Sequence, residues 1–144
     1  MEAASIEEDV ADVDNFGAIV DEKMLKRLKI FSLPVYIVVY VKGHWICIYI
    51  DEKVVEIMDS DGYLGTESVS PNVCAFVCAH ACGKSLLVTP RLQRKSGALC
   101  GFFVVVFILF RHRARKSLCK LMEGFSSDLE RNEEFIKELY YQSK

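Results

Sequence analysis

Cys100 is the residue whose setting first suggests chemistry, because it stands at the start of a long apolar run. Gly101 follows it, and positions 102–110 are apolar without interruption. The run is shorter than the roughly 20 residues that span a bilayer, so it predicts a buried core helix. A helix N-terminus favours negative charge, and the thiolate is the reactive form of cysteine. The pattern therefore predicts a cysteine nucleophile; the alternative is an ordinary core cysteine.

A cysteine nucleophile needs a base, and the chain has three histidines. His44 stands where a turn, Lys42-Gly43, passes into a strand, so its imidazole is expected at the end of a sheet beside a cleft. His80 falls inside a predicted helix, and His112 falls in a basic cluster, positions typical of structural or solvated histidines. We therefore expect His44 to be the base; the alternative is a structural histidine beside a tryptophan.

The imidazole also needs an acceptor for its second nitrogen. A hairpin that turns at 51–53 brings the chain back towards His44 at Asp59. Neighbouring strands lie about 5 Å apart, so a contact between these two side chains is expected. Asp61, further into the loop, is the second candidate, and a simple turn role is the alternative for Asp59.

The oxyanion formed when a thiolate attacks a carbonyl needs hydrogen-bond donors. The backbone N–H of Cys100 is one candidate, and the side-chain amide of Gln93 is another if its loop folds back across the helix start. Loss of one such donor costs about a hundredfold in rate or more. Alternatively, Gln93 is a solvated side chain between basic residues.

The surrounding pattern predicts an α+β fold, with a mostly antiparallel central sheet packed against the helix that carries the nucleophile. We expect an acidic flexible segment over 1–15 and a single domain over 16–144. The predicted strands are 35–41, 45–50, 54–58 and 85–89, and the predicted helices are 22–30, 71–83, a helix from Cys100, 117–125 and a last helix capped by Ser127 or Asp128.

The composition is that of a globular chain. It has 144 residues, 51% hydrophobic and 26% charged, with a net charge of −2. The six cysteines lie mostly among apolar or small residues, and no basic, then apolar, signal region precedes them, so we expect reduced thiols in a reducing compartment. We expect no membrane association and no metal. A zinc site is the alternative suggested by Cys74, Cys78, Cys82 and His80. However, that spacing places the three thiols along a single helix.

In order, His44-Trp45, Asp59, Gln93 and Cys100-Gly101 resemble the adenovirus-type (adenain-like) cysteine proteases, within the wider group of ubiquitin-like-protein-specific proteases. The seven-position gap from Gln93 to Cys100 is similar to the adenoviral type. The resemblance covers roughly residues 16–112. Two features depart from the adenoviral pattern: the acid is Asp where that enzyme has Glu, and little chain follows the nucleophile helix.

The resemblance implies a papain-like or adenain-like architecture and a thiol-dependent endopeptidase. His44, Asp59 and Cys100 would be catalytic, Gln93 and Cys100 would form the oxyanion hole, and Trp45 and Gly101 would line a narrow substrate channel. The substrate would be a polypeptide with small residues, often glycine, at the cleavage point. The biological role would be precursor processing during virion maturation. Alternatives are removal of ubiquitin-like modifiers and a catalytically silent peptide-binding module.

The resemblance also implies a location in the host nucleus or cytoplasm, or in the virion. No cofactor is expected to be required, although adenoviral relatives use a peptide and DNA as activators. DNA would contact the basic clusters; the alternative interpretation of these clusters is a solvated helix end. We expect the chain to be a monomer. The candidate DNA-contacting residues are Arg91, Arg94, Lys95, Arg111 and Arg113.

Overall fold

The computed structural model describes residues 1–62, 70–94 and 98–144. The described elements are, in chain order, α1 (Ala3–Asp9), β1 (Phe16–Asp21), a 3₁₀ helix (Glu22–Arg27), β2 (Val35–Val41), β3 (His44–Ile50), β4 (Val54–Met58), α2 (Pro71–Ala81), β5 (Ser85–Val88), α3 (Cys100–Ala114), α4 (Leu118–Met122) and α5 (Leu129–Gln142). The strands and helices expected from the sequence are present, and their ends differ by a few residues.

The five strands form one mixed sheet in the order β1-β2-β3-β4-β5. The central strands form the expected antiparallel meander, whereas β1 pairs with β2 in parallel and β5 pairs with β4 in parallel. The expectation of a mostly antiparallel sheet is therefore wrong for its two outer pairings. The parallel pairings need crossover connections, which a reading of hairpin turns does not detect.

A two-residue turn joins β2 to β3 and sets the position of His44. Lys42 and Gly43 have φ angles of 48° and 88°. Positive φ at both central residues defines the turn type whose twist matches that of a β-hairpin. Val41 therefore pairs with His44, which becomes the first residue of β3.

The sheet is buried on both faces, which explains its nearly continuous apolar strands. One face packs against α1, α3, α4 and α5, with Tyr36, Val38 and Cys47 pointing to that side. The other face carries Ile37 and Ile48, and it packs against the 3₁₀ helix and α2. The molecule thus has three layers with the sheet in the middle.

α3 is the central helix, buried nearly all round. Its buried residues are Gly101, Phe103, Val104, Val105, Val106, Phe107, Ile108 and Leu109. It contacts β3, β4, α1, α4 and α5. Across the described ranges, no helix has the combined length and apolarity that crossing a bilayer requires.

The first fifteen residues include a short helix, and three of their apolar side chains are buried. They contain α1, and Ile6, Val10 and Val13 are 0%, 1% and 5% exposed. These apolar side chains belong to the same core cluster as α3. These apolar residues are three to four positions apart, which is the spacing of one helical face. The many acidic residues of the segment made this pattern hard to recognise in the sequence.

Three strand ends meet at one edge of the sheet. β3 begins at this edge, and antiparallel β4 ends there, because Cys47 pairs with Met58. β5 runs parallel to β4, so it ends at the same edge. Side chains that follow β4 and β5 are therefore brought to the residue that opens β3.

Truncation of Phe107 tests whether α3 carries the core. Phe107 is 0% exposed, whereas Phe31 is 92% exposed. We expect Phe107→Ala to lower the free energy of unfolding by about 3–5 kcal/mol, because it leaves a cavity in the core. Phe31→Ala, the matched control, should change it by less than about 0.5 kcal/mol. Urea denaturation measures both, and equal losses would contradict the central position of α3.

Candidate active site

Cys100 is the first residue of α3, and its thiol lies beside the start of β3. The backbone N–H of Trp45, the residue after His44, donates a hydrogen bond to Cys100 Sγ at 3.3 Å. No side chain caps the N-terminus of α3, where Leu99 is the capping position. The partial positive charge of the helix N-terminus therefore acts on the thiol.

The structure brings His44 and Asp59 together. His44 Nε2 lies 3.3 Å from Asp59 Oδ1, and their side chains are 8% and 2% exposed. The Asp59 backbone is fixed by Thr89 at the end of β5, since Thr89 Oγ1 accepts from Asp59 N at 2.8 Å and donates to Asp59 O at 2.7 Å. With Nε2 carrying a proton towards Asp59, the neutral ring has its lone pair at Nδ1.

A second carboxylate lies on the other side of the same ring. Asp61 Oδ2 is 3.7 Å from His44 Nδ1, which is too long for a hydrogen bond. Burial raises the pKa of the Asp61 carboxyl, and the His44 charge opposes that shift. An imidazolium at position 44 would therefore lie between two carboxylates.

Gln93 is fully buried and connects the loop after β4 to the start of α3. Its Nε2 donates to Ser60 Oγ at 2.8 Å and to Asp61 Oδ1 at 3.0 Å. Its Oε1 accepts the backbone N–H of Leu99 at 3.3 Å. The Gln93 side chain thus lies at the start of α3, and both of its amide hydrogens have acceptors in the loop after β4.

The two expected channel residues lie on either side of the chain's first residue. The Trp45 indole N–H donates to the backbone carbonyl of Met1 at 3.0 Å. Gly101 is buried, and a Cβ added there would come within 2.8 Å of Met1 Cβ. Trp45 and Gly101, the residue after Cys100, therefore both lie against Met1.

Electrostatics hold the resting Cys100 thiol in its neutral form. Burial raises the pKa of this thiol, and the negative charge of Asp61 raises it further. The N–H groups of Trp45 and Gly101 and the amino group of Met1 act in the opposite direction. The cysteine therefore needs a base to take its proton at the moment of reaction.

Four of the five candidate DNA-contacting side chains contact other parts of the chain. Arg94 forms ion-paired hydrogen bonds with Glu133 on α5, the shortest at 2.7 Å. Arg111 Nε lies 3.0 Å from Glu56 Oε1, and Arg113 pairs with Asp12. Arg91 Nε donates to the Asp61 backbone carbonyl. Lys95 lies outside the described residues, and DNA contact through these side chains stays a prediction.

The cysteines of α2 do not assemble a cluster of metal ligands. Cys78 and Cys82 are exposed, Cys74 is half-buried, and the ring of His80 packs on Phe76. Within the described ranges, no group of three or more His, Cys, Asp or Glu side chains is placed to hold a metal ion. All six cysteines carry free thiols.

Sequence reasoning missed three residues of this site: Met1, Ser60 and Thr89. Thr89 was detectable, because a strand that ends beside β4 must place its next residue near Asp59. Ser60 follows Asp59 directly, but nothing in the sequence pairs it with Gln93. Met1 gives no local signal, since only the packing of α1 carries it to Trp45.

Comparisons with known proteins give only distant similarities. No protein-family model matches the sequence, and no curated protein matches it either. The structure is similar to the central domain of the uncharacterized Lpg1148 protein from Legionella pneumophila, with 12% identity, a TM-score of 0.48 and 90% coverage of each chain. It is also similar to a de-sumoylating protease, with 13% identity and a TM-score of 0.49, over 96% of this chain and 74% of that one. Values this low assign no activity to the chain.

The raised pKa of Cys100 predicts how its reactivity depends on pH. The thiolate is the species that reacts with iodoacetamide, and an unperturbed thiol has a pKa of about 8.5. Since burial disfavours the thiolate, the alkylation rate of Cys100 should rise to its plateau with a midpoint above that value. Peptide mass spectrometry over a pH series measures it, with urea-unfolded protein as the reference. A midpoint below the reference would contradict a neutral resting thiol.

Proposed function

We propose that this protein is a cysteine endopeptidase. The observation that carries the proposal is the assembly of a cysteine at a helix N-terminus with a buried histidine–aspartate pair. Cys100 is far from His44 and Asp59 in the sequence, and the contact that supports their association is the hydrogen bond from the backbone N–H of Trp45, the residue after His44, to Cys100 Sγ. A buried thiol, a base and an orienting acid together are the parts of a nucleophilic acyl-transfer site.

In the proposed reaction, His44 Nδ1 takes the proton of Cys100 as Sγ attacks the scissile carbonyl carbon. Asp59 holds the proton on Nε2 and stabilises the imidazolium that forms. The tetrahedral oxyanion accepts hydrogen bonds from the Cys100 backbone N–H and from Gln93. The imidazolium then protonates the leaving amine, and the C–N bond breaks to leave a thioester. Water, deprotonated by His44, hydrolyses the thioester and frees the carboxylic acid and the thiol.

The proposed oxyanion role of Gln93 requires one hydrogen bond to change partners. Its bond to Ser60 holds the amide in place, while its bond to Asp61 points towards the site. A substrate oxyanion would replace the Asp61 carboxylate as the acceptor. Both acceptors carry negative charge, so the same donor serves the resting and the reacting site.

The proposed substrate is a polypeptide with small residues, glycine above all, at the cleavage point. The Trp45 indole N–H supports a polypeptide ligand at this place, because it binds the main-chain carbonyl of Met1. The proposed biological role is the processing of precursor proteins during virion maturation.

Replacement of the nucleophile tests the catalytic assignment. We expect Cys100→Ala to abolish cleavage of a Gly-Gly-containing peptide, since no thioester can form. Cys119→Ala is the matched control, because Cys119 is exposed and lies in α4; it should retain the parent rate. Cleavage of the peptide by Cys100→Ala would contradict the assignment of Cys100 as the nucleophile.

Two further measurements separate the alternative functions. A thiol-reactive probe built on the C-terminus of a ubiquitin-like protein should label Cys100 if the protein removes such modifiers. The proposed endopeptidase should cleave the free peptide and leave that probe unreacted. A silent module of the same fold would bind the peptide, detected by calorimetry, without turnover of either reagent.

The two carboxylates beside His44 should differ in importance. Asp59→Asn should lower kcat by a factor on the order of 10³ or more, because it disturbs the tautomer and the charge at Nε2. Asp61→Asn should change kcat by less than about tenfold, because 3.7 Å is too long for a hydrogen bond to Nδ1. Single-turnover kinetics of both variants measures this, and a larger loss for Asp61→Asn would identify Asp61 as the orienting acid.

A further inference from the structure

The first residue of the chain occupies the candidate substrate channel. The backbone carbonyl of Met1 accepts the Trp45 indole N–H at 3.0 Å. The Met1 side chain lies over Gly101, since a Cβ added there would be 2.8 Å from Met1 Cβ and 2.9 Å from Met1 Sδ. The positive charge of the Met1 amino group also acts on the Cys100 thiol. Met1 is therefore in contact with both channel residues and close to the nucleophile.

The segment that follows holds Met1 in this place. α1 begins at Ala3, and its buried Ile6 packs into the core that surrounds α3. Asp9, at the other end of α1, accepts a hydrogen bond from Tyr140 and pairs with Lys144. The two residues before α1 therefore cannot diffuse away, and their effective concentration at the site is in the millimolar range.

We propose that Met1 acts as a built-in competitive inhibitor, which occupies the Trp45–Gly101 channel until a substrate main chain displaces it. The inference rests on the proposed function, because it takes this channel to be the substrate's path to Cys100. The Trp45 indole N–H is satisfied by a main-chain carbonyl in either state. Occupancy by the segment lowers the fraction of molecules that can bind substrate, and the apparent substrate affinity falls by that fraction.

Shortening the occupying side chain tests the proposal. Met1→Gly is prepared by removal of a cleavable leader, and the parent chain is prepared in the same way. If the channel of the parent is open in about a tenth of the molecules, Met1→Gly should speed carbamidomethylation of Cys100 by iodoacetamide up to about tenfold. KM for a Gly-Gly peptide should fall by a similar factor, with kcat unchanged.

Three thiols of the chain serve as internal controls in the same digest. Cys78 and Cys119 are exposed, so their alkylation rates should not change. Cys47 is 0% exposed, so it should stay unlabelled as long as the variant is folded. Glu7→Gln, on the exposed side of α1, should behave as the parent.

A second variant releases the anchor and leaves the channel residues unchanged. Ile6→Ala removes a fully buried contact of α1, so Met1 should leave the channel more often and Cys100 should again react faster. An unchanged Cys100 rate in both variants, with Cys47 still protected, would overturn the proposal. Peptide cleavage with unchanged KM in Met1→Gly would overturn it too.

The outcome separates this proposal from the proposed function, since alkylation reports access to Cys100 without any peptidase activity. Faster alkylation in the absence of peptide cleavage by any variant would reject the endopeptidase and retain the occupying segment. If the parent cleaves the peptide and Met1→Gly does not alter the alkylation rate of Cys100, the endopeptidase is retained and the occupying segment is rejected.

Discussion

The packing of α3 against the sheet is the constraint on which the rest of the structure depends. Helix and sheet bury their apolar surfaces against each other, and this burial supplies most of the free energy of folding. An ion pair joins Arg111, in the last turn of α3, to Glu56 of β4. Arg111 is eleven residues from Cys100, about 16 Å along the helix axis. The same packing therefore places the thiol at the opposite end of the strands, where β3 begins.

Placing three ionisable groups at that sheet edge has an electrostatic cost. Cys100, Asp59 and Asp61 would all be anionic when ionised, and burial disfavours each charge. The site limits the cost with hydrogen bonds to fixed donors: Trp45 N–H on the thiol, Gln93 on Asp61, and the His44 ring on Asp59. A neutral resting thiol avoids a third buried negative charge. Charge separation is then needed only when His44 takes the proton.

The described site has its polar groups satisfied by the chain itself. Gln93 donates to Ser60 and Asp61, and Trp45 donates to Met1. A buried donor without an acceptor costs about 1–3 kcal/mol, so these internal acceptors stabilise the fold. Because groups of the chain already occupy these donors, a ligand that bound here would exchange existing hydrogen bonds and add few new ones.

Local sequence alone predicted most of the elements of this protein. Apolar runs of β-branched and aromatic residues marked the strands, and the Lys42-Gly43 pair marked the turn before His44. Asp21 and Asp128 were predicted caps, and both accept backbone N–H groups at their helix starts. The contact between His44 and Asp59 also followed from local information, because a single hairpin returns the chain to its own start.

Only the tertiary structure decided the parts that depend on distant segments. The parallel pairing of β5 brings Thr89 to Asp59, and the folding of α1 onto α3 brings Met1 to Trp45. The two hydrogen bonds that Gln93 donates depend on where the loop after β4 lies. Residue periodicity reports which face of an element is buried, but it does not report which other element covers that face. Sequence therefore determined the elements and the candidate residues, and long-range packing decided which groups surround the thiol.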